Sequence, residues 1–126
     1  MKLPCEKKGF TLIEMSVVVA IIGILYHTVV PMYGKTIART RETALKQNLY
    51  VFRTTIDNYY KDHERWPDSL KSLVDEGYLR NIPNCPITDS SKAWLQIPSA
   101  PSERDLYDVK SSAPGTSLDG KKFTEF

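Results

Sequence analysis

The chain has 126 residues, of which 41% are hydrophobic and 25% are charged, and its formal net charge at pH 7 is +2. This length allows one small domain beside a separate hydrophobic segment. The near balance of 17 basic and 15 acidic side chains argues against a role that depends on binding nucleic acid through net charge.

A basic leader precedes a long apolar run. Lys7, Lys8 and Gly9 are followed by 21 residues, Phe10 to Val30, that carry one formal charge, on Glu14. A helix of this length, at ~1.5 Å per residue, spans the ~30 Å hydrocarbon core of a bilayer. The two lysines indicate that the N-terminal side is cytoplasmic. We therefore predict a cytoplasmic leader over residues 1–9 and a transmembrane helix over residues 10–30.

Glu14 is the unusual residue of this run. A carboxylate within a membrane segment costs about 2.5–3.5 kcal/mol on insertion scales, so it should have a partner. A cut before Phe10 would create an amine four residues away, on the same helix face. The amine and the carboxylate could pair within one chain, or between neighbours, where pairing would set the register of an assembly. The alternative is that Glu14 lies near the membrane surface and reaches water.

The segment Lys-Lys-Gly-Phe-Thr-Leu-Ile-Glu at residues 7–14 resembles the class III signal of type IV pilins and type II secretion pseudopilins. The resemblance implies that a prepilin peptidase in the membrane cuts after Gly9. It also implies that the new N-terminal Phe10 is N-methylated and that Glu14 is the carboxylate used in assembly. These are expectations about processing and polymerisation.

The two cysteines, Cys5 and Cys85, would be separated by this processing. A cut after Gly9 removes Cys5 together with three of the 17 basic and one of the 15 acidic side chains, which leaves 14 of each. One thiol remains, and it can form no internal disulfide. We interpret Cys85 as a small, partly buried residue because the sequence offers it no activating partner.

Gly23 lies within the apolar run, and Pro31 directly follows its last residue. Proline removes a helical hydrogen bond and predicts a kink or a loosened turn before it. Filaments of the resembling family often lose helical order between a glycine and a proline at this spacing, which implies the same for residues 23–31. A simple kink in the isolated subunit is the alternative.

Beyond Lys35 the sequence becomes amphipathic. Apolar side chains recur at steps of four and three residues, at Leu45, Leu49, Phe52, Ile56 and Tyr59. No strong helix breaker lies between Lys35 and Trp66. We predict one helix from about residue 10 to about residue 63, with its amphipathic half over residues 31–63. Its apolar stripe should pack on a small head formed by residues 64–126.

The head is predicted to combine a short helix with short strands. Asp68 or Ser69 can cap the helix, and Gly77 can end it. The strand candidates are Ala93–Ile97, Leu106–Lys110 and Lys122–Phe126. Because turn-rich loops join them, we expect an antiparallel sheet packed on the long helix, an α+β, pilin-like fold.

The resemblance extends into the head. Residues 66–86 look like the segment that follows the long helix in major pseudopilins, and residues 105–120 are similar to their C-terminal region. Family members with that region often bind calcium, which makes Asp108, Ser111 and Asp119, together with backbone carbonyls, the candidate ligands here. Calcium requires six to eight oxygens, so three side chains do not form a site by themselves. The alternative is that the two aspartates are turn and surface residues.

Other chemistry is not indicated. The sequence has no phosphate-binding glycine loop, no Cys-x-x-Cys and no zinc-ligand spacing. His27 lies at the membrane boundary and His63 near the end of the long helix, where a favourable contact with the helix dipole is the simpler interpretation. We therefore expect no enzymatic activity and no cofactor other than the candidate calcium.

The function implied by the resemblance is that of a structural subunit of a filament. Its partners would be further copies of itself, minor pseudopilins or pilins, the prepilin peptidase, an inner-membrane assembly platform and the membrane, with no nucleic acid. The short head favours the major pseudopilin of type II protein secretion, anchored in the inner membrane with its head in the periplasm. The alternatives are a type IV pilus pilin for adhesion, motility or DNA uptake, and a signal-anchored monomeric binding protein.

Overall fold

The structure, a computed structural model, describes residues 8–126. The predicted leader therefore lies outside the described residues, except for Lys8 and Gly9. The elements are helix α1 (Leu12–His63), helix α2 (Leu70–Asp75), strands β1 (Trp94–Ile97) and β2 (Asp108–Ser111), and a 3₁₀ helix (Phe123–Glu125). The chain divides into two units, the first ending at Ile37 and the second comprising Ala38–Phe126.

The first unit is a helix without a core. All residues from 8 to 37 are exposed in the single chain. The helix is long and apolar enough to cross a membrane, and none of its apolar window is buried. It continues through Gly23 and Pro31 without interruption. The loss of helical order expected between these residues therefore remains a prediction about the filament.

The second unit, residues 38–126, combines residues 64–126 with the amphipathic half of α1, and "head" refers to this whole unit from here on. The predicted stripe is confirmed, because Leu45, Leu49, Phe52, Ile56 and Tyr59 are all exposed by 2% or less. Phe52 meets Trp94 of β1 edge to face, with ring centroids 4.9 Å apart. The rest of the core comes from α2, the strands and their loops: Leu70, Leu73, Cys85, Ala93, Leu106, Val109 and Ala113.

Helix α2 is capped at both ends by local sequence. Ser69 is the N-cap, and its hydroxyl and that of Ser72 bond each other's backbone N–H in a capping box. At the other end Gly77 adopts a φ of 82°. Tyr78 N–H donates to the Leu73 carbonyl at 2.9 Å, which completes a Schellman motif. Both predicted ends of this helix are confirmed, with Ser69 and not Asp68 as the cap.

The sheet has two strands among the described residues. β1 and β2 are antiparallel, with Trp94 opposite Ser111 and Ile97 opposite Asp108. The prediction for β1 is confirmed to within one residue, whereas β2 begins two residues late. Leu106 N–H donates to the Pro67 carbonyl at 2.6 Å and not to β1, and Tyr107 N–H is the first to reach β1, at the Ile97 carbonyl, 2.8 Å away.

The third predicted strand, residues 122–126, is wrong. Phe123 and Phe126 both pack against the core, and their ring centroids lie 5.9 Å apart. Residues three apart lie on opposite faces of a strand but on the same side of a 3₁₀ helix. Lys122 alone forms an isolated bridge, with Thr116. The predicted α+β class is nevertheless confirmed, with a long helix packed on a small antiparallel sheet.

Candidate functional site

The candidate assembly site lies at the start of α1. Thr11 is the last residue before the helix, and its N–H donates to Glu14 Oε2 at 3.3 Å. The Glu14 N–H donates in return to Thr11 Oγ1 at 3.2 Å. These two bonds form a capping box, which satisfies backbone donors at the positive end of the helix. Our sequence interpretation missed this role, although Thr-x-x-Glu before an apolar run is its known signature.

The capping box gives Glu14 a partner within its own chain. Thr11 and Glu14 remain exposed, so the carboxylate is accessible to a second group. Gly9 and Phe10 precede the helix and are also exposed, as a peptide bond must be to enter a peptidase. The geometry is compatible with processing at Gly9–Phe10 and with assembly through Glu14. Both roles remain predictions.

A second carboxylate of α1, Glu42, is buried and holds a distant loop. Its Oε1 accepts a hydrogen bond from the Ser117 hydroxyl at 2.5 Å, and its Oε2 accepts one from Leu118 N–H at 3.2 Å. Lys46 Nζ lies 3.2 Å from the same carboxylate. The Ser117 hydrogen bond is the main cause that holds the pKa of Glu42 below its usual value, and burial opposes it. Because Glu42 lies three residues before Leu45, its place on the buried face could have been recognised from the sequence.

Two of the three candidate calcium ligands, Asp108 and Ser111, are engaged by other groups. Asp108 Oδ1 accepts from Arg53 Nε at 2.9 Å and from the Val109 N–H at 2.8 Å. The Ser111 hydroxyl is buried, 4.0 Å from Cys85 Sγ, and accepts from Ala113 N–H at 3.1 Å. Asp119 is exposed on the loop that Glu42 holds. Between residues 8 and 126 no three His, Cys, Asp or Glu residues are grouped so that they could hold a metal ion.

Cys85 is fully buried, where partial burial was predicted. Its only side-chain hydrogen-bonding contact found in the described part of the chain is the Ser111 hydroxyl. The thiol therefore contributes to the core of the head, as a small apolar side chain does.

His63 belongs to a network at the end of α1. Its ring stacks on Tyr59 at 4.1 Å, and its Nε2 lies 3.6 Å from Glu76 Oε2. Its Nδ1 lies 3.2 Å from the Tyr59 carbonyl, in keeping with the predicted contact at the helix end. Tyr78 donates to Asp62 Oδ2 at 2.6 Å, and this bond to a carboxylate raises the pKa of Tyr78 to about 12. The network fastens α2 to the end of the long helix.

Asp105 fastens the turn that follows β1. It accepts hydrogen bonds from the Ser99 hydroxyl at 2.5 Å and from the Ser99 N–H at 2.8 Å. These bonds, the hydroxyl first, lower the pKa of Asp105. The residue is thus a turn anchor of the head.

An open cleft beside α1 contains clustered titratable groups. It is lined by Lys46, Leu49, Arg53, Lys110, Asp119, Lys121, Glu125 and Phe126. The lining includes no histidine, cysteine or serine, and therefore no nucleophile–base pair of the Ser–His or Cys–His kind. Arg53 and Lys46 are committed to ion pairs with Asp108 and Glu42. The cleft has the character of a solvated, charged surface.

Comparisons with known proteins identify the class of protein. A family profile described as "prokaryotic N-terminal methylation motif" matches residues 6–25. The chain is 33% identical over 87 residues to the competence protein ComGC of Halalkalibacterium halodurans, covering 68% of this chain and 84% of that protein. It is 40% identical over 128 aligned positions to the type IV major fimbrial protein FimA of Dichelobacter nodosus, covering 94% and 81% of the two chains.

A third relative covers nearly the whole chain. It is the type II secretion system core protein G of Escherichia coli K12, 29% identical over 142 aligned positions, which cover 99% of this chain and 91% of that protein. By contrast, the chain spans about a third (31%) of the Myxococcus xanthus type IV major pilin PilA, with 39% identity over 68 residues. No solved structure matches the chain. The protein belongs to the family of type IV pilins and pseudopilins, which are structural subunits of pilus-like filaments.

Proposed function

We propose that this protein polymerises through its N-terminal helix, after a prepilin peptidase has cut it between Gly9 and Phe10 and Phe10 has been methylated. The observation that carries the proposal is the exposure of every residue from 8 to 37 in the single chain. This surface is apolar, and Glu14 lies near its start, within residues 6–25 that the methylation profile matches. A helix of this kind requires lipid or other protein around it.

Lipid and neighbouring subunits cover the same surface in turn. While the subunit is in the inner membrane, with its head in the periplasm, acyl chains cover the helix and the capping box lowers the cost of Glu14 in the membrane. In the fibre the helices of neighbouring subunits replace the lipid. The Phe10 amine of one subunit then pairs with the Glu14 carboxylate of the next, and this ion pair in a low-dielectric core fixes the register of addition.

The filament system we propose is type II protein secretion, with this chain as the major pseudopilin. Support comes from the alignment with core protein G, which extends over 99% of this chain. In that role its partners are further copies of itself, minor pseudopilins, the prepilin peptidase and the inner-membrane assembly platform. The protein acts without enzymatic activity of its own. A type IV pilus pilin is the second candidate, favoured by the 40% identity with the fimbrial protein FimA.

Replacing Glu14 tests the assembly mechanism. We expect Glu14→Ala to give a processed, membrane-held subunit whose yield in sheared fibres falls about tenfold or more, the effect of losing ~1.4 kcal/mol at each addition. The matched control is Glu103→Ala, because Glu103 is an exposed glutamate of the second unit. A normal fibre yield from Glu14→Ala would refute the assembly role of this residue.

The two filament systems are separated by the phenotype of a deletion strain. A strain that retains folded cargo in the periplasm, and recovers export when the wild-type gene is restored, identifies the secretion pseudopilin. Intact secretion together with the loss of surface fibres would identify a pilus pilin instead.

A further inference from the structure

Calcium, which the family resemblance implies for the closing part of the head, does not fit the residues present here. Asp108 is occupied by Arg53 and by its neighbouring N–H group. The Ser111 oxygen is buried and accepts the Ala113 N–H. Two of the three candidate ligands are therefore already engaged by other groups, and these side chains do not supply the six to eight oxygens that calcium requires.

The loop that carries Asp119 is held to α1 by hydrogen-bond donors around a carboxylate, and not by oxygen ligands around a cation. Around Glu42 the polar contacts are a hydroxyl donor from Ser117, an N–H donor from Leu118 and the ammonium group of Lys46. A calcium site needs oxygen atoms that converge on a cation. Here hydrogen-bond donors converge, and the group they surround is an anion supplied by α1.

The loop is also held by hydrogen bonds among its own residues. Ser117 N–H donates to the Lys121 carbonyl at 2.7 Å, and Gly120 N–H donates to the Ser117 carbonyl at 2.9 Å. Gly120 has a φ of 83°, which favours glycine. Asp119 N–H donates to the Ser117 hydroxyl oxygen, so this hydroxyl links the turn to Glu42. One carboxylate therefore fixes a prearranged turn.

We infer that the Glu42 carboxylate replaces a metal ion as the group that fastens the closing loop, residues 116–122, to α1. The head then folds without calcium. If the protein polymerises as proposed above, filament formation is likewise independent of calcium. The loop also carries Lys121, whose Nζ lies 5.6 Å from the centre of the Phe126 ring, while Lys46 Nζ approaches the same ring at 5.0 Å. Glu42 is thus a positioning residue for one side of the head.

The test uses the full-length protein in detergent, with wild type, Glu42→Gln, Ser117→Ala and the control Asp119→Asn. Thermal unfolding is followed by near-ultraviolet circular dichroism, with excess calcium chloride or EDTA. Hydrogen exchange of residues 116–122 is measured by mass spectrometry under native conditions. The exchange readout reports the loop directly, and a merely global loss of stability would raise exchange throughout the head.

We expect calcium and EDTA to give the same unfolding midpoint and the same loop protection in the wild type. Glu42→Gln and Ser117→Ala should each lower the midpoint by about 4 °C or more, and raise loop exchange more than core exchange. Asp119→Asn should change neither. The inference would be overturned if calcium protected the loop from exchange and Asp119→Asn abolished that protection. It would also be overturned if loop exchange in Glu42→Gln were the same as in the wild type. Because neither readout involves fibres, failure here is distinguishable from failure of the proposed function.

Discussion

The two halves of α1 share one secondary structure but differ in where their partners are. Up to Ile37 every described residue is exposed, including more than a dozen large apolar side chains. Beyond it, seven residues of the helix are buried against α2, the strands and the closing loop: Glu42, Leu45, Leu49, Phe52, Thr55, Ile56 and Tyr59. The second half is stabilised by its own chain. The first half is exposed throughout residues 8–37, and we propose that lipid or neighbouring subunits cover it.

The two glutamates of the helix show the same difference. Glu14 is bound by Thr11, three residues away, and both are exposed. Glu42 is bound by Ser117, which is 75 residues away, and is 7% exposed. The local bond leaves the Glu14 carboxylate exposed and accessible to another group, whereas the long-range bonds bury the Glu42 carboxylate within the head. If subunits assemble through Glu14, as we propose, the chain uses one residue type for assembly and for folding, according to the range of its contacts.

The largest contrast is expected from shortening an apolar side chain in each half. Phe52→Ala should lower the free energy of unfolding of the head by about 3–5 kcal/mol, because Phe52 is fully buried and packs on Trp94. Denaturant titration followed by near-ultraviolet circular dichroism measures this loss. Ile22→Ala, at a residue 59% exposed in the single chain, should leave the head unchanged and reduce fibre yield. Equal effects on head stability would break the distinction between the two halves.

A smaller contrast is expected from the two capping boxes. Ser69→Ala should destabilise the head by about 1 kcal/mol, because α2 packs into the core. Thr11→Ala removes the same kind of cap but should leave head unfolding unchanged. Its effect should be faster hydrogen exchange in the first turn of α1. A change in the head midpoint on Thr11→Ala would show that the two units are energetically coupled.

The smallest effect is a dependence on pH. The pKa of Glu42 is lowered in the folded head. The carboxylate therefore contributes its full stabilisation above pH 4.5, the reference pKa of the unfolded side chain, and loses it as the pH falls through the lower pKa of the folded state. The difference in midpoint between wild type and Glu42→Gln should therefore shrink on acidification. The lowered pKa of Asp105 acts in the same direction but is common to both variants. A difference that stays constant down to strongly acidic pH would contradict this assignment.

Much of the fold could be predicted because its signals are local. The long helix, its buried stripe and the caps of α2 follow from periodicity and from Ser69 and Gly77. The third strand was wrong because Phe123 and Phe126 pack on the same core, a tertiary demand that favours a 3₁₀ turn over an extended chain. The delayed start of β2 has the same origin, since Leu106 bonds Pro67.

The candidate sites were predictable to different degrees. The N-terminal segment could be recognised because its residues are contiguous, and even the missed Thr11–Glu14 capping box was present as a pattern. The Glu42–Ser117 contact could not be paired from sequence, because 75 residues separate its members. The calcium candidates were close in sequence, yet Asp108 and Ser111 are three apart on a strand and so point to opposite faces.

The most direct test of the central claim is mass spectrometry of the N-terminal peptide from fibres sheared off cells that express the protein. We predict a peptide that begins at Phe10 and carries one added methyl group, with the same processed chain in the inner membrane. A chain that retains Met1–Gly9 in cells with an active prepilin peptidase, and is absent from the fibre fraction, would contradict the account. The apolar first half of α1 would then serve only as a membrane anchor.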